Sequence, residues 1–290
     1  MAIGKVRIGI SGWNYAPWRG VFYPSKLPHK KELDYAARLF PSIEVNGTFY
    51  GLQRPEAFGT WRSETPDDFV FAIKGSRYIT HMRKLLDIEA PLANFMASGV
   101  LRLGPKLGPI LWQFPPQMKF DSERFRNFFS LLPHDTRQAV DLARRHDQRL
   151  DDRDWLQCDT EQPMRHAVEI RHDTFRSPEF IELLREYDIA LVCADTVEWP
   201  RLMDLTSDFV YCRLHGSEEL YVSGYDSAAL DRWAARVRTW ARGGEPEDAE
   251  RILPPTKRKK CRDVFVYFDN DVKVRAPADA LSLAQRLLRI

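Results

Sequence analysis

The sequence has little that would staple or anchor it. Its 4 cysteines, Cys158, Cys193, Cys212 and Cys261, are far apart and show no CxxC spacing. That argues against a zinc knot or a disulfide frame and points to a reducing cytoplasm. No apolar run approaches the ~20 residues of a membrane helix, so no membrane partner is expected, and the N-terminal run at 6–10 is too short for a signal peptide. Neither charge dominates: 43 Lys and Arg face 41 Asp and Glu, a net +2. Any anion site must therefore be local. The 7 histidines show no HxH or HExxH spacing. No Gly-rich phosphate loop, nucleophile elbow or internal repeat occurs.

What is present is a recurring unit, an apolar run that ends abruptly in polar or aromatic residues. The pattern predicts strands over 6–10, 42–45, 69–74, 109–113, 167–170, 189–194, 209–214 and 264–268. Helical spacing predicts helices over 31–40, 55–63, 91–102, 122–132, 177–187, 227–240 and 277–288. Ser177, Pro178 and Glu179 combine a cap residue, a first-turn proline and an early acid. Residues 133–165 and 243–262 are polar and charged and read as surface insertions, with a part-helical 133–165 left open. The 196–208 connection is too short for a full helix. Eight strands separated mostly by helices predict one α/β domain, a (β/α)8 TIM-like barrel with irregular units and two insertions.

Catalytic groups of such barrels sit at the carboxyl ends of the strands. There the sequence places Glu44, Asn46, Lys74, Gln113, Glu169, Arg171, His172, Asp195, Arg213, His215 and Asn270. Side chains alternate along a strand, so Glu44 and Asn46, Glu169 and Arg171, and Arg213 and His215 form pairs that point alike. Trp13, Tyr15, Phe49, Tyr50, Tyr221 and Tyr225 supply an aromatic rim. One reading is a structural polar layer, with Glu169–Arg171 or Glu44–Arg213 as buried ion pairs. The other is a site in which Glu169 or Glu44 is the acid/base, assisted by His215 or His172. Lys74, Arg171 and Arg213 would then grip a carboxylate or phosphate.

The motifs carry a resemblance. Ser11-Gly12-Trp13-Asn14-Tyr15, Phe22-Tyr23-Pro24, the run 44–50, Lys74 with Ile79-Thr80-His81, Lys106-Leu107-Gly108, Gln113-Phe114-Pro115-Pro116, Glu169-Ile170-Arg171-His172, Arg213-Leu214-His215-Gly216 and Tyr267-Phe268-Asp269-Asn270 follow in order. Over almost its whole length the chain resembles the YecE-like family, domain of unknown function 72. The resemblance implies a TIM barrel, somewhat like those of endonuclease IV and the sugar isomerases, and no established reaction. The chain departs from the family pattern at Thr174-Phe175. It departs again at Asp269, which adds an acid where the family usually carries asparagine.

The leading expectation is an enzyme, a hydrolase or isomerase, acting on an anionic, phosphate-bearing small molecule or nucleotide without a cofactor. A zinc or manganese ion held by Glu44, Glu169, Asp195, His172 or His215 is the less favoured option. Two alternatives stay open. One is a nucleic-acid-binding protein or divergent nuclease, for which the run Lys257-Arg258-Lys259-Lys260 is a weak signal. The other is a non-catalytic small-ligand-binding barrel. No motif specifies an oligomeric state.

Overall fold

In the computed structural model, which describes residues 3–150, 152–216, 220, 223–270 and 274–288, the eight apolar runs become eight parallel strands. They are β1 (Val6–Ser11), β2 (Ser42–Val45), β3 (Val70–Lys74), β4 (Leu107–Gln113), β5 (His166–Glu169), β6 (Ala190–Asp195), β7 (Phe209–Leu214) and β8 (Asp263–Phe268). They hydrogen-bond in sequence order and close, β1 pairing with both β2 and β8. Helices surround them: α1 (Glu32–Leu39), the single turn α2 (Gly47–Tyr50), α3 (Pro55–Ser63), α4 (Glu89–Ala97), α5 (Ser122–Ser130), α6 (Thr136–Ala143), α7 (Pro178–Glu186), α8 (Ser227–Ala241) and α9 (Arg275–Leu288). The fold is a single-domain TIM-like barrel, as the sequence predicts.

Strand alternation divides the apolar residues into two cores. Outward residues such as Ile43, Ile73 and Val168 pack under the helices. Inward residues such as Ala72, Leu111, Ala167, Val192, Tyr211 and Tyr267 fill the barrel. Small residues on β6 face large ones on β7 and β8, which is how a barrel interior fills without a pore. Gly9 belongs to this interior, where an added Cβ would lie 2.0 Å from the Ser42 carbonyl oxygen.

Three expectations need correction. The helix predicted over 91–102 ends at Ala97. Gly99 takes a φ of 115°, which a glycine accepts at little cost, and a tighter helical turn follows over Val100–Lys106. The 133–165 segment is not simply a surface insertion. Asp135 caps α6 by accepting from the Gln138 amide at 2.8 Å, and Ala139, Val140 and Ala143 are buried. Ser177 occupies the cap position of α7, but its side chain makes no cap hydrogen bond.

The 196–208 connection contains no helix. The second insertion covers it. Buried Asp204 accepts from the Ile252 and Leu253 amides, each at 2.9 Å, and the Met203 amide donates to the Glu250 carbonyl. The 243–262 segment thus substitutes for the missing helix. Among the described residues, no helix is long and apolar enough to cross a membrane. Asp204→Ala should therefore strand two amides and cost roughly 2–3 kcal/mol of stability. Urea unfolding reads this directly; an unchanged midpoint would show that the insertion does not depend on Asp204.

Candidate active site

The last inward residue of several strands is polar, and these residues meet on the barrel axis. Arg213, at the end of β7, is fully buried and lies among three carboxylates. Its Nε and Nη2 donate to the two oxygens of Glu44 at 3.1 and 2.9 Å. Its Nη1 donates to Glu169 at 2.7 Å, and Nη2 also donates to Asp269 at 2.7 Å. Four further donors, three neutral and one a second guanidinium, bond the two glutamates. Ser11 Oγ and Tyr211 OH donate to Glu44 at 2.8 and 2.6 Å. Gln113 Nε2 and Arg171 Nε donate to Glu169, each at 2.8 Å. Buried charge on this scale is tolerated only when paired and hydrogen-bonded.

The charges balance. Glu44, Glu169 and Asp269 face Arg213, Arg171 and Lys74, with His215 beside them. His215 Nδ1 is 3.2 Å from Asp269, and its Nε2 is 3.8 Å from Glu169. Burial works to raise the Glu169 pKa, but Arg213 and Arg171 outweigh it and hold the carboxyl well below its usual range. Asp269 has the same opposition of burial against Arg213 and His215, and it settles at about 2. Burial, assisted by Arg213, lowers Lys74 to about 8 against the pull of the carboxylates.

Above this floor opens a cavity of about 640 Å³. Lys74, Arg77 and Arg171 line it against one carboxylate, Asp269, among the described residues. Tyr15, Phe49 and Tyr50 form its aromatic wall. Lys74 Nζ lies 4.4 Å from the Phe49 ring centre, and the Arg171 guanidinium lies 4.0 Å from that of Trp199, both within cation–π range. His81 completes the rim. Burial, with Lys74 and Arg171, pushes it down to about 4, so its ring is neutral at pH 7.

A second cavity, of about 480 Å³, lies at the opposite end of the barrel beside Arg7, Arg165 and Asp263. Arg165 is already paired there with Asp208 and Asp263. The convergent polar groups and lowered pKa values favour the carboxyl-end mouth as the site.

The family model described as "Protein of unknown function DUF72" matches residues 7–289. The chain belongs to the DUF72 family. Among curated relatives, it is 32% identical over 117 residues to the UPF0759 protein YunF of Bacillus subtilis, covering 38% of this chain and 40% of that protein. It is 30% identical over 110 residues to the UPF0759 protein YecE of Escherichia coli, covering 38% of each. These matches span about two fifths of the length of the curated relatives. A solved DUF72 protein from Thermotoga maritima superposes with a TM-score of 0.71 at 24% identity, covering 98% of this chain and 100% of that one. One from Enterococcus faecalis gives 0.69 at 15%, covering 98% and 96%. At such identities the likeness establishes the fold.

The barrel of this DUF72 protein brings together Glu44, Lys74, Gln113, Glu169, Arg171, Arg213 and His215, with Tyr15, Asn46 and Tyr50 at the mouth. The ion pairs Glu169–Arg171 and Glu44–Arg213 both form. Others lie apart. His172 Nδ1 accepts from the Thr174 amide and caps a short turn. Asp195 is held by Arg201 and Trp233. Asn270 donates to the Ser223 carbonyl and to Asp279, and the Tyr225 hydroxyl accepts from the Gly216 amide. Trp13 packs edge-on against Trp61. These five residues latch loops, and Tyr221 lies outside the described residues.

Sequence reasoning missed Tyr211 and Ser11, both of which strand alternation could have found. It also missed Trp199, which carries no periodic signal, and Arg77 and His81 of the loop after β3. The donor set is poorly suited to a metal ion. Three carboxylates converge, but a guanidinium occupies their centre. Among the described residues, no group of three or more His, Cys, Asp or Glu side chains is arranged to hold one.

Arg213→Met should leave the buried Glu44 and Glu169, and Asp269 above them, without their shared cation and cost roughly 3–5 kcal/mol at pH 7. In the native protein, Asp269 stays ionised down to about pH 2, below its ordinary 3.8. The unfolded chain takes up that proton first, so stability declines as pH falls below about 4. In the variant the unpaired carboxylates bind protons more readily when folded, so stability should rise as pH falls from 7 towards 4. Denaturant titrations across that range test both; parallel pH slopes would contradict the clamp.

Proposed function

We propose that the mouth is the active site of an enzyme acting on a small anionic molecule that carries a phosphate or carboxylate. The observation that supports this is the division of charge. Floor and wall together carry four cations, Arg213, Arg171, Lys74 and Arg77, to three carboxylates, Glu44, Glu169 and Asp269, and three of those cations line the cavity. A bound anion would restore the balance. The volume is that of an ordinary small-molecule site, and Phe49 and Tyr50 offer faces for a sugar or base.

The roles differ from those expected of the sequence. Glu44 and Glu169 are fully buried and committed to Arg213, so neither is placed to exchange protons with a ligand. Arg213 itself grips carboxylates of the protein, not of a substrate. Arg77 and Arg171 hold the anion beside Lys74. Asp269 also accepts from Arg213 but, unlike the two glutamates, reaches the cavity wall, and with His215 behind it, it is the carboxylate that accepts a proton from the ligand. The exposed basic run Lys257–Lys260 precedes β8, at the other end of the barrel. It adds no charge to the mouth, which favours a small molecule over an oligonucleotide. Four free cysteines suit a reducing cytoplasm.

Calorimetric titration with inorganic pyrophosphate tests the anion seat. Arg77→Ala and Arg171→Ala should each weaken binding roughly 10-fold or more, the scale of one lost charge-assisted hydrogen bond. Failure of the native protein to bind, or equal binding by all three proteins, would reject the reading. Once a substrate is found, Asp269→Asn should lower kcat about 10²–10⁴-fold.

A further inference from the structure

Among the described residues, two lysines are almost fully buried, Lys74 and Lys106, at 7% and 5% exposure. Their surroundings differ in kind. Lys106 Nζ donates to the Arg62 and Thr65 carbonyls, each at 2.7 Å, and approaches Thr65 Oγ1 at 3.3 Å. Its three donors are used, which is what a structural buried ammonium requires. Lys74 Nζ has no acceptor within hydrogen-bond or ion-pair distance among the described residues. Its one close partner is the Phe49 ring. Its backbone is fixed, since Thr48 Oγ1 donates to the Lys74 carbonyl at 2.7 Å. An amine without an acceptor, held rigidly at the floor of an open cavity, is costly as a structural element.

The charges around it explain how it persists. Arg213 stands beside it and opposes its protonation, while Glu44, Asp269 and Glu169 favour it; with burial, the outcome is a value near 8. A lysine desolvated next to another cation is the arrangement that activates amine nucleophiles. The neutral amine is then available near physiological pH.

We propose that Lys74 Nζ is an imine-forming nucleophile for a small anionic aldehyde or ketone. The proposal rests on the reading of the mouth as a seat for anions, with Arg77 and Arg171 holding the charged end of the substrate. The amine lone pair forms a C–N bond to the carbonyl carbon, and the carbonyl π pair moves to oxygen. The two amine hydrogens leave with that oxygen as one water, and the C=N bond closes. The imine nitrogen then takes a proton, and the resulting cation is stabilised by the three floor carboxylates. The Asp269–His215 pair is placed to carry protons to and from the adjacent carbon.

Reductive trapping with borohydride tests this, because hydride reduces the protonated imine to a stable secondary amine. The probes are pyruvate, dihydroxyacetone phosphate and acetone. Intact mass and peptide mapping should find one adduct on Lys74, absent from Lys74→Arg and retained in Lys260→Arg. Trapping should increase with pH and level off above about 8, as the amine becomes neutral. An adduct with pyruvate identifies a carboxylate substrate, and one with dihydroxyacetone phosphate a phosphorylated one. Equal trapping of acetone would overturn the anionic class. Calorimetry without borohydride separates the two readings. If either anionic probe binds but Lys74 is not modified, the imine is wrong and the anion seat stands. If neither binds and no adduct forms, both fall.

Discussion

A single guanidinium shared by two buried carboxylates and a third at the cavity floor governs the upper half of this barrel. Arg213 comes from β7, Glu44 from β2, Glu169 from β5 and Asp269 from the end of β8. One side chain thus ties four points on the circumference together across the axis. Removing any of these charges from water is expensive, and their mutual attraction compensates only when every lone pair and proton is used. Four Arg213 donations reach the three carboxylates, and Ser11, Tyr211, Gln113 and Arg171 supply further donors to Glu44 and Glu169. Hydrophobic residues of the same volume could close a barrel at lower cost. A polar layer that stability does not demand is a reason to look for chemistry beside it.

The clamp also shapes what lies above it. Arg213, Arg171 and Lys74 together offset the three carboxylates, and Arg77 on the cavity wall leaves the mouth with a surplus positive charge that attracts an outside anion. Burial first, and then the positive charge of Arg213, hold Lys74 down to about 8 although three carboxylates lie near it. Asp269 belongs to both layers, bonded to Arg213 below and facing the cavity above. It stands where the family pattern usually carries asparagine. An amide there would keep an acceptor for Arg213 but would remove a charge from the cavity wall. The bottom of the barrel shows the contrast, with Arg165 paired to Asp208 and Asp263.

The fold was legible because a parallel strand buried on both faces leaves a short, nearly unbroken apolar run, and eight such runs have few ways to close. Helix ends were less legible. Gly99 carries a backbone sign change that periodicity does not register, so the 91–102 helix was drawn too long. The insertions were misjudged for a related reason. Charged residues dominate the composition of 133–165, yet Ala139, Val140 and Ala143 form a buried stripe, and spacing matters more than composition. Tyr211 follows the same alternation that singled out Arg213, but a tyrosine in an apolar run looks like core.

Which residues reach the carboxyl rim is written in the strand pattern. Strand period and strand ends are local properties, so Glu44, Lys74, Glu169, Arg213 and His215 could be placed together without coordinates. Which of them are already occupied is settled by the closed barrel. Whether Arg213 meets a substrate or Glu44 depends on distances across the barrel axis, between residues 169 positions apart in the chain. Whether Lys74 has an acceptor depends on how β3 stands relative to β5, β7 and β8. No periodicity encodes those distances. They follow from strand tilt and closure, which are properties of the complete ring.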